Sequence, residues 1–282
     1  VVPASFEYHR PDSLDAALAT LGSLGDNARV LAGGHSLIPA MKLRLAQPTA
    51  LVDLGAIREL RAIEERGGRL AIGAMATHAG ILASPLLARR CPILPAAASH
   101  IGDTQVRNLG TIGGSLVHAD PAADWPAVAL ALDAELEIAG PAGRRTIAAK
   151  DFFVDVLQTS LQPGEILCFI HVAPTDGHVA YVKTEQKASG FALCGVAATV
   201  DHQAKRVRVG ITGVAPVPYR ATAVEQALGG RAITEASISD AARHAVESVG
   251  ALLSDIHAST DFRAHLAQVN TSRALTRASQ GA

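Results

Sequence analysis

Cysteine is scarce: three in 282 residues, Cys91, Cys168 and Cys194, far apart and without a C-x-x-C pair. They cannot build a four-thiolate iron–sulfur cluster, and their apolar surroundings predict core thiols. Aromatic residues are only 4% of the chain, too few for a base-stacking platform. Charge of either sign is lacking in excess, with 25 basic against 26 acidic side chains, so no field gathers nucleic acid or anionic lipid. No apolar run reaches the roughly 18–20 residues of a membrane span. The opening VVPASFEYHRPDS has neither the basic head nor the apolar centre of a secretory signal, and the expectation is a cytoplasmic protein. Attachment to the inner face of a membrane is left open. Three further motifs are missing: the Walker G-x-x-x-x-G-K-[ST], the dinucleotide G-x-G-x-x-G and the hydrolase G-x-S-x-G.

What is present is enough for a sizeable core. Hydrophobic residues make up 49% and charged residues 18%, which at this length predicts two or three folded units. Residues 1–55 read as a small βαβ unit. Asp12 or Ser13 caps a helix whose Leu14, Ala17, Leu18 and Leu21 share one face, and Arg29–Ala32 and Leu51–Leu54 are strands. Residues 56–175 read as a second α/β unit. It has strands at Leu70–Ala74, Ala134–Ala139 and Glu165–Val172, a Thr77-capped helix, a helix at Pro92–His100 broken by Pro95, and a helix opening at Pro126. Ile101–Asn108 is expected to be a polar connection. Residues 176–282 change character. Val179–Glu185, Leu193–Asp201 and Lys205–Thr212 predict a three-stranded antiparallel meander, followed by helices at Ala221–Leu228, Glu235–Val249 and Asp261–Ala278. The last helix should bury Phe262, Leu266 and Val269.

Two loops of one design stand out. Ala32, Gly33, Gly34, His35, Ser36 and Leu37 follow an apolar strand and precede a helical turn; Thr111, Ile112, Gly113, Gly114 and Ser115 repeat the arrangement. A glycine pair admits close approach of backbone N–H groups to an anion, and two such loops suggest one elongated phosphate-bearing ligand held at two points. A single Gly-Gly more often marks only a tight turn. Asp124, just past the second loop, suits ligand hydroxyls as acidic residues suit sugar diols. His118, Asp120 and Asp124 have metal-ligand types at short spacing, yet each has a cheaper use in the turn, and no metal site is expected. Lys183 and Lys187 stand either on a solvated strand face or reaching toward a ligand. Phe191 beside Gly190 reads equally as core or as a cover on an aromatic ligand.

The stretches AGGHSLIPAMKLR (32–44) and RNLGTIGGSLVHADPAADWPAVALAL (107–132) together resemble the FAD-binding medium subunit of molybdenum hydroxylases, the carbon monoxide dehydrogenase and xanthine dehydrogenase family. The resemblance runs nearly the full chain. It implies an α+β protein with the vanillyl-alcohol-oxidase-like fold: two α/β subdomains cradle FAD, and a C-terminal domain with a three-stranded antiparallel sheet and helices closes over it. By resemblance, Ala32–Leu37 and Thr111–Ser115 give backbone amides to the FAD diphosphate and Asp124 binds ribityl or ribose hydroxyls. Ile101 lines the flavin pocket, Leu167 contributes backbone and Lys183 is the C-terminal contact. His35 stands where Gln is frequent, Ser115 where Asn is, Leu109 where Arg is, and Ser189-Gly190-Phe191 where Gly-Asp-Tyr is common. The implied partners are a large molybdenum subunit carrying molybdopterin and a small subunit with two two-iron two-sulfur clusters, in a dimer of heterotrimers. Electrons pass from those clusters to FAD and on to an external acceptor, with no proton-transferring catalytic residue on this chain. The rival is a self-standing flavin oxidase or flavin-binding protein.

Overall fold

Ser13, not Asp12, starts the first helix: its hydroxyl accepts from the Ala16 N–H at 3.4 Å and opens α1 (Leu14–Leu24). That helix buries Leu14, Ala17 and Leu21 on one face. It covers a three-stranded parallel sheet of Glu7–His9 (β1), Ala28–Leu31 (β2) and Ala50–Asp53 (β3), in the order β1-β3-β2. β1 escaped the sequence reading because EYH is short and mostly exposed, with no apolar alternation to announce it. Between β2 and β3 lies α2 (Leu37–Lys42). The computed structural model describes residues 2–175 and 178–281, so the unit boundary expected at residue 176 falls outside the described residues.

The second sheet is built from Ile63–Arg66 (β4), Arg69–Gly73 (β5), Glu135–Gly140 (β6) and Gly143–Ala148 (β7), with a small hairpin of Phe153–Asp155 (β8) and Gln158–Thr159 (β9) beside it. Ile166–Val172 (β10) takes the centre, giving the order β4-β5-β10-β6-β7. All pairings are antiparallel, a correction to the α/β reading of this stretch. The tight turns at Gly67-Gly68 and Pro141-Ala142 leave no length for the crossover that parallel neighbours need.

Six short helices lie between β5 and β6 in the chain: α3 (His78–Leu82), α4 (Pro85–Arg90), α5 (Ile93–Ser99), α6 (Thr104–Leu109), α7 (Ile112–His118) and α8 (Trp125–Ala131). Thr77 caps α3 as expected, accepting from Gly80 N–H at 3.0 Å. α5 runs through Pro95 instead of breaking there. The proline is its third residue, where an N–H has no intrahelical partner to lose. Residues 101–108 were expected as a connection, but Asp103 caps α6 by accepting from Val106 N–H at 2.8 Å. Every residue of α8 is buried, so this helix is the hub of the largest core.

The C-terminal sheet contains the expected meander, Val179–Glu185 (β11), Ala192–Asp201 (β12) and Arg206–Thr212 (β13), plus a fourth strand at its edge, Tyr219–Arg220 (β14). Behind it lie α9 (Thr222–Leu228), α10 (Glu235–Ala242) and α11 (Thr260–Gln280). α10 ends well before Val249. The backbone tightens into turns such as Ala245 N–H to Ala242 O, and the Ala245 carbonyl is claimed by the Tyr219 hydroxyl at 3.0 Å. α11 buries Leu266 as expected, but Phe262 is exposed and Arg263 points inward, donating to Leu193 O at 3.0 Å and to Asp255 at 2.6 Å. Among the described residues, no helix is long and apolar enough to cross a membrane.

Candidate cofactor-binding site

A cavity of about 610 Å³ opens between the first unit, the helical layer and the rim of the C-terminal sheet. That size lies inside the roughly 300–1,000 Å³ typical of ligand sites. All the expected binding residues line it except Ile112 and Lys183. Ile112 is 2% exposed and packs into the core.

The chemistry of the cavity is set by the turn between β2 and α2. Among the described residues, none of the backbone N–H groups of Gly33, Gly34, His35, Ser36 and Leu37 donates to a protein acceptor. The first hydrogen bond of this turn runs from Ile38 N–H to Gly34 O at 3.0 Å. Gly34 has φ +74°, a left-handed conformation that a side chain resists and that anion-binding turns commonly use. The Ser36 hydroxyl has no capping bond of its own. Five adjacent, unspent N–H groups are a seat for an anion.

The second glycine pair works differently. Gly113 and Gly114 lie in the first turn of α7, not in an open loop. Their neighbourhood spends its amides internally: Ile112 on Ala76 O at 3.1 Å, Gly113 on Ala74 O at 2.9 Å, Gly114 on Thr111 Oγ1 at 3.1 Å and Ser115 on Thr111 O at 3.1 Å. The expected amide donation from this segment therefore narrows to the Thr111 N–H, joined by the hydroxyl of Ser115. Glycine is needed here for packing, since a Cβ on Gly113 would fall 2.5 Å from the Ala74 Cβ. The same holds for Gly33, where a Cβ would meet Leu109 O at 2.1 Å. The first segment thus touches the chain at Leu109–Gly110, immediately before the second, and both segments line the cavity.

Asp124 sits at the cavity wall, 6% exposed, at the entrance to α8. Its Oδ1 accepts from the Tyr181 hydroxyl at 2.5 Å and lies 3.0 Å from Lys183 Nζ, which also donates to His100 O at 2.9 Å. Burial pushes its carboxyl pKa up, against the pull of the Lys183 ammonium and the Tyr181 hydroxyl. The Lys183 side chain is 1% exposed, which overturns a solvated face, and it meets Asp124 instead of the cavity. Lys187 lies past the end of β11, exposed. Phe191 is half exposed at the rim and is no core residue. Ile101 and Leu167 line the cavity as expected, the first held by Arg107, whose Nη1 donates to Ile101 O at 3.0 Å.

Sequence reasoning missed His78, Trp125 and Tyr181. Tyr181 was within reach, because on a strand it shares a face with Lys183, two residues on. His78 is buried in the wall and accepts from the Trp125 indole N–H at 3.0 Å; no local spacing signals that long-range pair. Asp120 shapes its turn, accepting from Ala122 N–H at 2.8 Å. Among the described residues, no three His, Cys, Asp or Glu side chains are placed to share a metal ion. All three thiols are buried, and burial pushes Cys91 and Cys194 up to about 12 and Cys168 to about 11.

Residues 4–175 match the family described as "FAD binding domain in molybdopterin dehydrogenase", and residues 179–278 match "CO dehydrogenase flavoprotein C-terminal domain". The carbon monoxide dehydrogenase medium chain of Hydrogenophaga pseudoflava is 39% identical over 99% of this chain and 98% of that one. The nicotine 6-hydroxylase medium subunit of Paenarthrobacter nicotinovorans is 36% identical over 94% of each. The solved carbon monoxide dehydrogenase from Hydrogenophaga pseudoflava superposes with a TM-score of 0.95 at 40% identity, covering both chains fully. Quinoline 2-oxidoreductase from Pseudomonas putida 86 does so at 0.92 and 34%, over 99% of each. The α+β, vanillyl-alcohol-oxidase-like fold implied by the resemblance stands. The unspent amides, the shape of the cavity and these full-length likenesses agree: the chain belongs to the FAD-binding medium subunits of the molybdenum hydroxylases.

Proposed function

We propose that the cavity holds FAD with its diphosphate on the N–H groups of Gly33–Leu37. The observation that carries this reading is that run of five cavity-lining residues whose amides have no protein acceptor among the described residues. An anion there replaces the water those donors would otherwise hold. The Thr111 N–H and the Ser36 and Ser115 hydroxyls extend the donor set, Ile101 and Leu167 supply apolar wall, and Asp124 offers its remaining lone pairs to ligand hydroxyls. Lys183 acts through Asp124, fixing the carboxylate without touching the ligand. Bound FAD supplies the redox chemistry, and the chain supplies binding and orientation. We place the functional units at 1–55 and 56–175, which flank the cofactor, and 176–282, which closes the rim.

The electron source lies elsewhere, since three buried and separated thiols offer no cluster site. Relatives named as a medium chain and a medium subunit support further subunits beside this one. We infer that these are a large molybdenum subunit and a small iron–sulfur subunit, in a cytoplasmic dimer of heterotrimers, with electrons leaving FAD for an external acceptor. Isolation of the chain together with whatever accompanies it tests this. Flavin, iron and molybdenum in fixed ratio support the subunit reading. A yellow chain that turns over substrate alone replaces it with the self-standing oxidase.

A further inference from the structure

Trp125 fixes which nitrogen of His78 carries the proton. The indole N–H can only donate, and it donates to His78 Nδ1 at 3.0 Å, so in the neutral ring the hydrogen sits on Nε2. The ring cannot swing away, because the His78 backbone N–H is bonded to Gly110 O at 3.0 Å and the residue is 4% exposed. Burial, helped by the nearby His35 and Arg107, lowers the His78 pKa to about 4, so the ring stays neutral near pH 7. His78 lines the cavity, and among the described residues its Nε2–H has no acceptor. A Cβ on Gly110 would stand 2.7 Å from Nε2, and one on Gly33 would stand 2.8 Å from the Gly110 Cα. Nε2 is therefore one glycine away from the unspent amides.

We propose that His78 is a cofactor-binding residue whose Nε2–H donates to a phosphoryl oxygen of the diphosphate seated on Gly33–Leu37, with Trp125 as the positioning residue that holds the tautomer. This rests on the FAD reading of the cavity. It adds to the backbone seat a side-chain donor that carries no charge.

The test compares His78→Phe, which keeps the ring against Trp125 but has no donor, with His78→Gln, whose amide nitrogen reaches the place of Nε2. FAD affinity is measured on the deflavinated protein together with its co-purifying subunits, and the 31P resonances of bound FAD are recorded. Loss of a hydrogen bond to a charged group predicts about 10–100-fold weaker FAD binding for His78→Phe, near-native binding for His78→Gln, and displaced 31P signals in the Phe variant only. A purely packing role predicts the reverse order of affinities. The inference is overturned if the Phe variant binds FAD like the parent, if Gln binds as poorly as Phe, or if affinity falls while the 31P signals stay put. A parent protein that binds no FAD in any assembly sinks the function proposed above as well.

Discussion

Replacing Lys183 with methionine removes the cation bonded to the buried Asp124 carboxylate. The pair is closed, at 3.0 Å with side chains 1% and 7% exposed, so the ammonium is largely shielded from water. Breaking one partner of a buried pair costs about 3–5 kcal/mol, against about 0–1 kcal/mol for a surface pair. For a chain of this size that corresponds to a fall in Tm of ~10 °C. The cost depends on pH in a defined sense. Burial already holds the Asp124 pKa above its unfolded value, and loss of Lys183 raises it further. A folded pKa raised in this way favours the protonated native state, so the penalty is absent in acid, grows as pH rises above the unfolded value and levels off above the folded one. The chain has one tryptophan, Trp125, next to Asp124, and its fluorescence reports urea unfolding at the right place. Lys183→Met should lose more stability near pH 8 than near pH 5, and the double variant Asp124→Asn/Lys183→Met should regain most of it, because no orphaned charge remains. A loss below about 1 kcal/mol at the higher pH, equal at both, would refute the buried-pair reasoning.

Other outcomes follow from the same structure. Gly33→Ala places a methyl 2.1 Å from Leu109 O, so the protein should either lose about 1–3 kcal/mol of stability or shift the turn and shed flavin, read by urea midpoint and absorbance. Gly34→Ala should cost about 1–2 kcal/mol through its φ of +74° alone. His78, lowered from 6.5 to about 4, takes its proton in the unfolded chain before the native one. Stability should be fully present above pH 6.5 and drain away as pH falls toward 4, by up to about 3 kcal/mol, and His78→Phe should flatten that slope in an acid unfolding series. The three buried thiols should resist a thiol reagent in the native state and react together once urea unfolds the chain.

How much was legible follows from which forces act locally. The Ser13, Thr77 and Pro126 helix starts, the C-terminal strands and the β2–α2 seat were readable, because caps, alternation and glycine punctuation are encoded within a few residues. The fourth strand Tyr219–Arg220 was not, since two residues carry no period. On α11 Leu266 is buried as expected, but Arg263 takes the inward place given to Phe262, because it looks like a surface residue until Leu193, Gly213 and Asp255 arrive from elsewhere to satisfy it. The second glycine pair was placed correctly beside the cavity, but the internal use of its amides was not legible. Gly113 donates to Ala74 O and Gly114 to Thr111 Oγ1, and only the fold brings the Ala74 carbonyl there. His78 with Trp125, and Lys183 with Asp124, are contacts between distant parts of the chain, which composition cannot announce.

The contact between Gly33 and Leu109 has a mechanical consequence. With no side chain between them, the β2–α2 turn and the end of α6 behave as a single jaw, and neither slides without dragging the other. The five donors are consequently held in place before any ligand arrives, and the entropy of ordering them is spent during folding, not at the moment of capture. Lengthening either segment by one residue would break that jaw, even though both run along the surface where insertions are ordinarily tolerated.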